Sequence, residues 1–541
     1  MPQLYTEVNM RLALFFCVSG ALCCIPHIQA EFYTSVGQMT ELIFTERELV
    51  HSLKEYISSA ESKLAFIKSW ANKLDVLTRM STADPEGYLA HPVNAYKLMK
   101  RLNSEWPQLE ALVQQDLSSG FIANISLRRQ FFPDDEDQRG AAKALLRLQD
   151  TYRLDSELLS SGQLPGVQYS SHLTVDDCYS LGKMAYEEED HYHSILWMQE
   201  ALRRLDTSEE ASVSEVEVLD YLSYSVYQMG DVHRTLELTR RLISADPTHE
   251  RARGNLQHLE LILSNEATQS STMVTAANPI TLETYERPPS HLSDREIYEA
   301  LCRGEGATMT PERRSKLFCR YQDRSRNPRL LLAPMKEEDE WDSPHIVRYH
   351  DALSQAEIER IKDLAKPKLA RATIRDPVSG VLTVANYRVS KSAWLEHRVD
   401  PVTARVTQRI ADVTGLSLET AESLQVANYG IGGQYEPHYD FSRRPFDSSL
   451  KIEGNRLATY LNYLSDVEAG GATVFTDIGV ALRPRQGTAV FWHNLYRSGK
   501  GDLRTRHAAC PVLVGSKWVA NMWIHERGQE FRRQCGLTEG D

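Results

Sequence analysis

The chain has 541 residues, 42% of them hydrophobic, enough for about two to four domains with sizeable cores. A formal net charge of -13 argues against nucleic acid as the main partner and against a basic membrane-binding face.

Arg11 precedes a short apolar run, Leu12 to Ile25, and Ile28-Gln29-Ala30 ends in a small residue. That is the pattern of a secretory signal peptide cleaved after Ala30. The run is too short and interrupted to span a bilayer, and no later stretch is long and apolar enough. Cys17, Cys23 and Cys24 fall inside this segment, which leaves Cys178, Cys302, Cys319, Cys510 and Cys535. An oxidising compartment permits disulfides, but five thiols cannot all pair internally and sequence alone does not fix the connectivity. Asn124-Ile125-Ser126 is a glycosylation sequon, and the final Leu537-Thr538-Glu539-Gly540-Asp541 is no endoplasmic-reticulum retention signal.

A helical segment follows. Leu42, Leu49, Leu53, Tyr56, Ala60, Ile67, Trp70, Leu74 and Leu77 keep alternating three- and four-residue steps, interrupted by Glu46 and Lys63. The seam suits a coiled coil, or a helix packed on its own domain. Ala141 to Tyr152 reads as a further helix of this N-terminal domain, and Gly162 to Ser171 as a linker. From Leu173 to Leu263, Leu181-Gly182, Ala185, Ala201, Gly230-Asp231 and Asp246-Pro247 fit tetratricopeptide positions, one clear repeat and one degenerate. Tyr221, Tyr224 and Tyr227 recur every three residues and drift slowly round one helix face. Such a face suits polyproline-II ligands, although tyrosines at this spacing also pack repeats. Ser264 to Ser293 is a polar connector, Glu337 to Glu340 reads as a solvated acidic turn, and Ala356–Ala365 and Val402–Thr414 read as helices supporting a strand core.

Strands are expected at Leu424–Tyr429, Leu457–Leu464, Thr473–Phe475 and Gly487–Trp492, with a glycine turn at Gly470-Gly471 and a final hairpin through Gly515-Ser516 ending near His525. Short strands with glycine turns predict a sandwich or barrel. Within Tyr435-Glu436-Pro437-His438-Tyr439-Asp440-Phe441, His438 and Asp440 are two residues apart, so a strand points both to one face. A second imidazole at His507 completes a two-His, one-carboxylate set. That set suits non-haem Fe(II), because the opposite face stays open. Lys517 stands ten residues on, where an ammonium could hold the far carboxylate of a dicarboxylate chelating the iron. A lone His-x-Asp is more often a surface pair or a satisfied core histidine, and most lysines are exposed.

The collinear runs Leu424-Gln425-Val426-Ala427-Asn428-Tyr429-Gly430, Gly433 to Asp440, Gly454-Asn455-Arg456, Gly470 to Phe475, Gly487 to Trp492, Thr505 to Pro511 and His525 to Glu530 carry a resemblance. The chain resembles the collagen prolyl 4-hydroxylase α subunits over nearly its whole mature length. Phe441 to Phe446 and Val467-Glu468-Ala469 lean towards the α2 type. The resemblance implies an all-α N-terminal dimerisation domain with a coiled coil (31–165) and a tetratricopeptide-like peptide-substrate-binding domain (170–265). A linker (266–300) would lead to a double-stranded β-helix (jelly-roll) dioxygenase domain (301–541).

It further implies Fe(II) on His438, Asp440 and His507, and 2-oxoglutarate on Lys517 assisted by Tyr429 and Thr473. His525 would orient the oxoacid's other end, and Tyr435 and Arg456 would hold the peptide near the iron. Tyr186, Tyr221, Tyr224, Tyr227, Arg251 and Asn255 would line the proline-rich groove, with His258 and His493 standing where tyrosines are expected. Disulfides Cys302–Cys319 and Cys510–Cys535 are implied, with Cys178 left over. The expected reaction is 4-hydroxylation of proline in Xaa-Pro-Gly sequences of procollagen, with O2 as cosubstrate and 2-oxoglutarate decarboxylated to succinate and CO2. Ascorbate is implied as reductant, and protein disulfide isomerase as β subunit of an α2β2 tetramer in the endoplasmic reticulum lumen. The competing expectations are a hydroxylase of another secretory proline-rich protein, or an inactive oxygenase-fold scaffold.

Overall fold

The computed structural model describes residues 35–538 except 87–91, 165–170, 208–209, 268–283, 307–308, 325, 376–381, 386 and 444–449, so the signal segment and much of both linkers lie outside the described residues. The chain divides into two units, 37–134 and a larger one built around 135–541.

In the smaller unit, α1 (Val36–Ala83) runs for 48 residues without a break, followed by α2 (Pro92–Lys100), α3 (Trp106–Gln114) and α4 (Ser119–Arg128). The half-buried seam of α1 is Leu42, Thr45, Leu49, Ser52, Tyr56, Ala60, Lys63, Ile67, Trp70, Leu74 and Leu77. Thr45 and Ser52 hold the steps expected of Glu46 and Leu53. Lys63 stays on the seam because its ammonium donates to the carbonyls of Val113 (2.9 Å) and Gln115 (2.6 Å) where α3 ends. Ile43, Val50, Ile57 and Leu64 are exposed at seven-residue intervals on a different face. Asn124 sits within α4, where its side-chain oxygen accepts from Arg128 Nε at 2.9 Å.

The larger unit begins with α5 (Asp135–Tyr152). The repeats are α6 (Val175–Glu187), α7 (His191–Asp206), α8 (Glu215–Gln228), α9 (Val232–Ala245) and α10 (Glu250–Ala267). Capping boxes at Thr174/Asp177 and Ser214/Glu217 start α6 and α8. Gly230, at φ +83°, takes the left-handed turn between α8 and α9 that a side chain would strain. Cys178 is buried in this core with Leu181, Trp197, Met198 and Leu219.

After α11 (Arg295–Cys302), the C-terminal domain is a pair of facing sheets. The larger orders β1 (Cys319–Gln322), β2 (Met335–Trp341), β3 (Ile346–His350), β15 (Ala489–His493), β11 (Arg456–Tyr463), β18 (Lys517–His525), β9 (Leu424–Tyr429), β8 (Lys391–Leu395) and β4 (Ala370–Arg371). The smaller orders β14 (Val480–Leu482), β13 (Thr473–Phe475), β16 (His507–Ala509), β10 (Gln434–His438) and β7 (Arg388–Val389). Two ribbons complete the strands: β5 (Thr373–Arg375) with β6 (Leu382–Val384), and β12 (Ala469–Gly470) with β17 (Val512–Val514). The central strands β11 and β18 read as near-continuous apolar runs because both their faces are covered. On one face Ala458, Tyr460, Met522 and Ile524 meet α12 (Gln355–Ala365) and α13 (Pro401–Thr414) through Ile358, Ile361, Val406 and Ile410. On the other, Leu461, Tyr463 and Val519 meet Phe475, Leu482 and Val512.

Three expectations are corrected here. Glu337 to Glu340 lie on β2, with Glu337 and Asp339 buried against Arg320, because strand alternation turns them inward to that guanidinium. β17 and β18 are not a hairpin: Gly515, at φ +94°, sends the chain from β17's ribbon into the large sheet. The disulfide joins Cys302 to Cys510, not Cys302 to Cys319 or Cys510 to Cys535. α11 lies across β13 and β14, and Tyr298, Leu301 and Cys302 pack with Ala472, Val474, Ala508 and Cys510, which brings the two Cα atoms to 5.5 Å. Cys319, opening the edge strand β1, and Cys535 are exposed and unbonded.

Candidate active site

The fold brings three donors together from the small sheet. β10 ends at His438, Asp440 follows it, and β16 begins at His507 directly opposite His438 in the register. Their donor atoms lie within 4.8 Å of one another. Each imidazole is oriented by its other nitrogen: His438 Nδ1 is 2.7 Å from the carbonyl of Glu436, and His507 Nδ1 is 3.0 Å from that of Thr505. The Nδ1–H groups donate there, so both Nε2 lone pairs face Asp440, at 3.6 and 3.5 Å from its oxygens. Thr459 donates to Asp440 Oδ2 at 2.6 Å.

Burial opposes charge on Asp440, but His507 and His438 outweigh it and hold the carboxyl well below the usual range. Burial likewise pushes His507 down to about 4, so it is neutral at pH 7. Two imidazoles with Nε2 turned to the centre and one ionised carboxylate, each already oriented, fit ferrous iron.

One cavity is lined by these three residues and by Lys517, Tyr429, Thr473, Tyr435 and Thr459. Lys517 is 1% exposed, with its ammonium 5.5 Å from the ring centre of Tyr429 and 6.0 Å from that of Tyr463, and no described carboxylate pairs with it. Burial pushes it down to about 7. Thr473 accepts from Tyr463 Oη at 2.8 Å. Tyr435 stacks on the His438 ring at 3.6 Å.

The cavity lining also holds residues that the sequence reading missed. Arg388 is buried 4.8 Å from the Tyr435 ring centre and donates to Gln425 Oε1 at 2.8 Å. Arg388 Nε, Asn521 Oδ1 and Trp523 Nε1 are buried without a hydrogen-bond partner among the described residues. Arg456 and His525 lie off this lining. Both bind Glu422: Arg456 through Nη2 at 3.0 Å and His525 through Nε2 at 3.1 Å. His525 Nδ1 lies 2.8 Å from the carbonyl of Gly454, and the Arg456 guanidinium sits 4.0 Å from the Trp523 ring centre. Burial would lower His525, but Glu422 more than offsets it and raises the group. His525 thus shares the Glu422 carboxylate with Arg456, outside the lining of this cavity. His493 is a half-buried β15 residue against Phe491; desolvation and then nearby cations push it down to about 3, so it stays neutral.

In the repeats, Tyr186 lies edge-on to Tyr221 (4.8 Å) and Tyr224 (5.6 Å). Tyr179 and His191 extend this group, while Tyr227 faces His258 at 6.4 Å. Arg251 pairs with Asp220, and Asn255 is exposed one helical turn further along α10. Tyr179 and His191 were detectable as aromatics at inter-helix contact positions, whereas Asp220 gave no pattern of its own.

Three family profiles match in chain order. They are the prolyl 4-hydroxylase alpha-subunit N-terminal region over 35–166, the prolyl 4-hydroxylase peptide-substrate-binding domain over 175–265, and the 2OG-Fe(II) oxygenase superfamily over 424–525. With the facing sheets and the three-donor centre, they define a 2-oxoglutarate- and Fe(II)-dependent oxygenase carrying helical modules at its N-terminal side. The prolyl 4-hydroxylase subunit alpha-2 of Gallus gallus is 65% identical over 98% of this chain and 99% of its own. The alpha-1 subunit of Bos taurus is 59% identical over 94% and 96%, and the alpha-2 subunit of Caenorhabditis elegans 43% over 98% and 97%. The chain belongs to the prolyl 4-hydroxylase alpha-subunit family. Among solved structures, the viral collagen prolyl hydroxylase of Paramecium Bursaria Chlorella virus-1 with 2OG aligns at 25% identity over 33% of this chain and 95% of its own, with a TM-score of 0.27.

Proposed function

We propose that the chain is the catalytic subunit of a procollagen-proline 4-dioxygenase. It hydroxylates carbon 4 of proline in Xaa-Pro-Gly sequences and couples this to decarboxylation of 2-oxoglutarate to succinate and CO2. The observation that carries the reading is one cavity lined both by a pre-oriented His438–Asp440–His507 set and by a buried lysine with no carboxylate partner among the described residues.

When bound on these three residues, Fe(II) supplies the O2 chemistry that no side chain can. The chain supplies orientation and a dry site. Glu436 and Thr505 fix the imidazole tautomers, and Thr459 steadies the carboxylate that neutralises part of the metal charge. Lys517 takes the distal carboxylate of 2-oxoglutarate, with Tyr429 and Thr473 as hydroxyl neighbours. Buried where water competes poorly, that ion pair selects a C5 dicarboxylate by reach. Tyr435, Arg388 and Trp523 hold the target peptide beside the metal, and Arg456, paired with Glu422 and stacked on Trp523, supports that wall from behind. The orphaned Arg388 Nε and Trp523 Nε1 donate to its carbonyls.

The aromatic group of Tyr186, Tyr221 and Tyr224, with Tyr227, Arg251 and Asn255, binds the proline-rich chain, whose stiff polyproline-II form loses little entropy. The exposed heptad of Ile43, Val50, Ile57 and Leu64 pairs two such subunits. The domain limits proposed are 31–165, 170–265, 266–300 and 301–541, although Asp135–Tyr152 of the first packs within the larger unit. Residues 1–30 act as a signal peptide for the endoplasmic reticulum lumen. There Asn124 is glycosylated before α4 closes round it, ascorbate restores iron oxidised in unproductive cycles, and protein disulfide isomerase completes an α2β2 tetramer.

The test is to co-express the chain with protein disulfide isomerase and supply a Pro-Pro-Gly repeat peptide, Fe(II), 2-oxoglutarate, O2 and ascorbate. Formation of 4-hydroxyproline and succinate is the expected result. Succinate without hydroxyproline would move the substrate to another secretory protein, and neither product from an iron-loaded complex would leave a scaffold.

A further inference from the structure

α5 falls inside the stretch matched by the N-terminal family profile, yet it packs within the unit that holds the repeats and the oxygenase domain. One face is built into the repeat core. Leu146 packs there with Leu159, Val175 and Trp197; Gln149 Oε1 accepts from Trp197 Nε1 at 3.0 Å; Asp150 lies 3.0 Å from His193 Nε2. The other face meets the two chain segments that anchor the metal-bearing strands.

Just before β10, Gly432 has φ +66°, and a Cβ there would lie 2.7 Å from Cβ of Ala144; only glycine lets α5 come this close. Arg147 Nη1 donates to the Gly432 carbonyl at 2.6 Å. Two residues beyond β16, the Pro511 carbonyl accepts from the Tyr152 hydroxyl at 2.5 Å. Gly432 and Pro511 stand at the same end of the β10–β16 pair. There Gly432 N donates to Val512 O at 2.8 Å, and Val512 N to Gly433 O at 3.2 Å. The other end carries His438 opposite His507, and the register shifts between Tyr435 and His438. A pair with a shifted register can slide, and sliding moves one imidazole past the other. The Tyr152 hydroxyl also lies against Gly470, where a Cβ would meet it at 2.5 Å, and the next residue, Gly471, borders the Lys517 side chain.

We infer that α5 braces the metal site: Arg147 and Tyr152 are positioning residues that fix the β10–β16 register from a helix rigidly held by the peptide-binding repeats. They act from six residues away on the β10 side and four on the β16 side, about 20 and about 13 Å at the usual rise. The inference rests on the iron assignment above.

The test uses the full chain assembled as for wild type. Fe(II) affinity, the charge-transfer band of the Fe(II)–2-oxoglutarate complex, and affinity for a Pro-Pro-Gly repeat peptide are measured alongside the unfolding midpoint. The variants are Tyr152→Phe, which keeps the ring packed, and Tyr152→Phe with Arg147→Gln. Each lost hydrogen bond is expected to weaken Fe(II) binding about five-fold and to shift the band, with peptide affinity within about two-fold of wild type. Arg139→Ala, removing an exposed α5 side chain 3.9 Å from Glu187, is expected to change none of these. Folded variants with wild-type Fe(II) affinity and band position overturn the inference, even if their midpoint falls, since that pattern is structural support alone. A wild type that binds no Fe(II) overturns the iron assignment first, and the brace with it.

Discussion

Replacing Lys517 with Met should make the metal-free protein more stable and nearly useless towards 2-oxoglutarate. The stem is replaced by a side chain of similar length, so packing is kept, while an ammonium that is 1% exposed disappears. Burial moves that ammonium from 10.5 to about 7 in the folded chain. At about 1.4 kcal/mol per pH unit, keeping it charged costs of order 5 kcal/mol, and local relaxation leaves roughly half of that observable. The folded state binds fewer protons than the unfolded one between these two values, so the penalty is complete below pH 7 and fades as pH rises towards 10.5. Lys517→Met should therefore gain about 2 kcal/mol at pH 6 and clearly less at pH 9, by urea unfolding without cosubstrate. Loss of a buried ion-pair partner should raise the 2-oxoglutarate dissociation constant at least about 100-fold. A variant that is less stable than wild type at pH 6, or that binds 2-oxoglutarate within about three-fold of it, would refute the reasoning.

Four further outcomes are expected. His438→Ala should lose turnover and bound iron while far-UV circular dichroism and assembly stay as in wild type; normal iron content would remove it from the ligand set. Tyr224→Ala should weaken long proline-rich peptides several-fold and short ones hardly at all, because it strips one ring from the Tyr186 group without opening the core; equal effects would make it a packing residue. His193 is raised to about 9: burial disfavours its charge, but Asp150 and Asp190 more than offset this. Its stabilising share is therefore complete below pH 6.5 and lost as pH rises to about 9, and His193→Gln should flatten the wild-type fall in unfolding midpoint across that window. Non-reducing peptide mapping should recover Cys302 joined to Cys510; a Cys302–Cys319 peptide would reinstate the pairing expected from sequence.

The metal set was legible because its two nearest members share a strand face, and strand alternation is a local rule. Lys517 was singled out on other grounds, its place across a glycine turn ten residues after His507, and it lines the same cavity. Glu422, Thr459, Arg388 and Trp523 were not. Each is an ordinary strand or loop residue, and only the pairing of β11 with β18 and of β7 with β10 brings them to the centre. His525 matched a motif position, but its partner Glu422 stands 103 residues earlier, where no local pattern shows it. The acidic run at Glu337 read as solvated since composition says nothing of Arg320 on the neighbouring strand. The disulfide pairing implied by the resemblance differs from the one found, because α11 crosses the small sheet and sets Cys302 beside Cys510. α5 was recognised as a helix, but amphipathic periodicity names no partner.

The reach of α5 also bears on the order in which the chain acquires its form. Arg147 and Gly432 are 285 residues apart, and Tyr152 and Pro511 are 359 apart. During synthesis the helix and its repeats emerge and fold long before the strands they are to touch. The cost in loop entropy grows only with the logarithm of that separation, so the closed state is little penalised, but the search is slow. A nascent chain therefore carries the groove proposed for proline-rich peptide for roughly tens of seconds before the His438–Asp440–His507 centre can form. Ligand that occupies the groove in that interval meets a protein able to bind and not yet able to react.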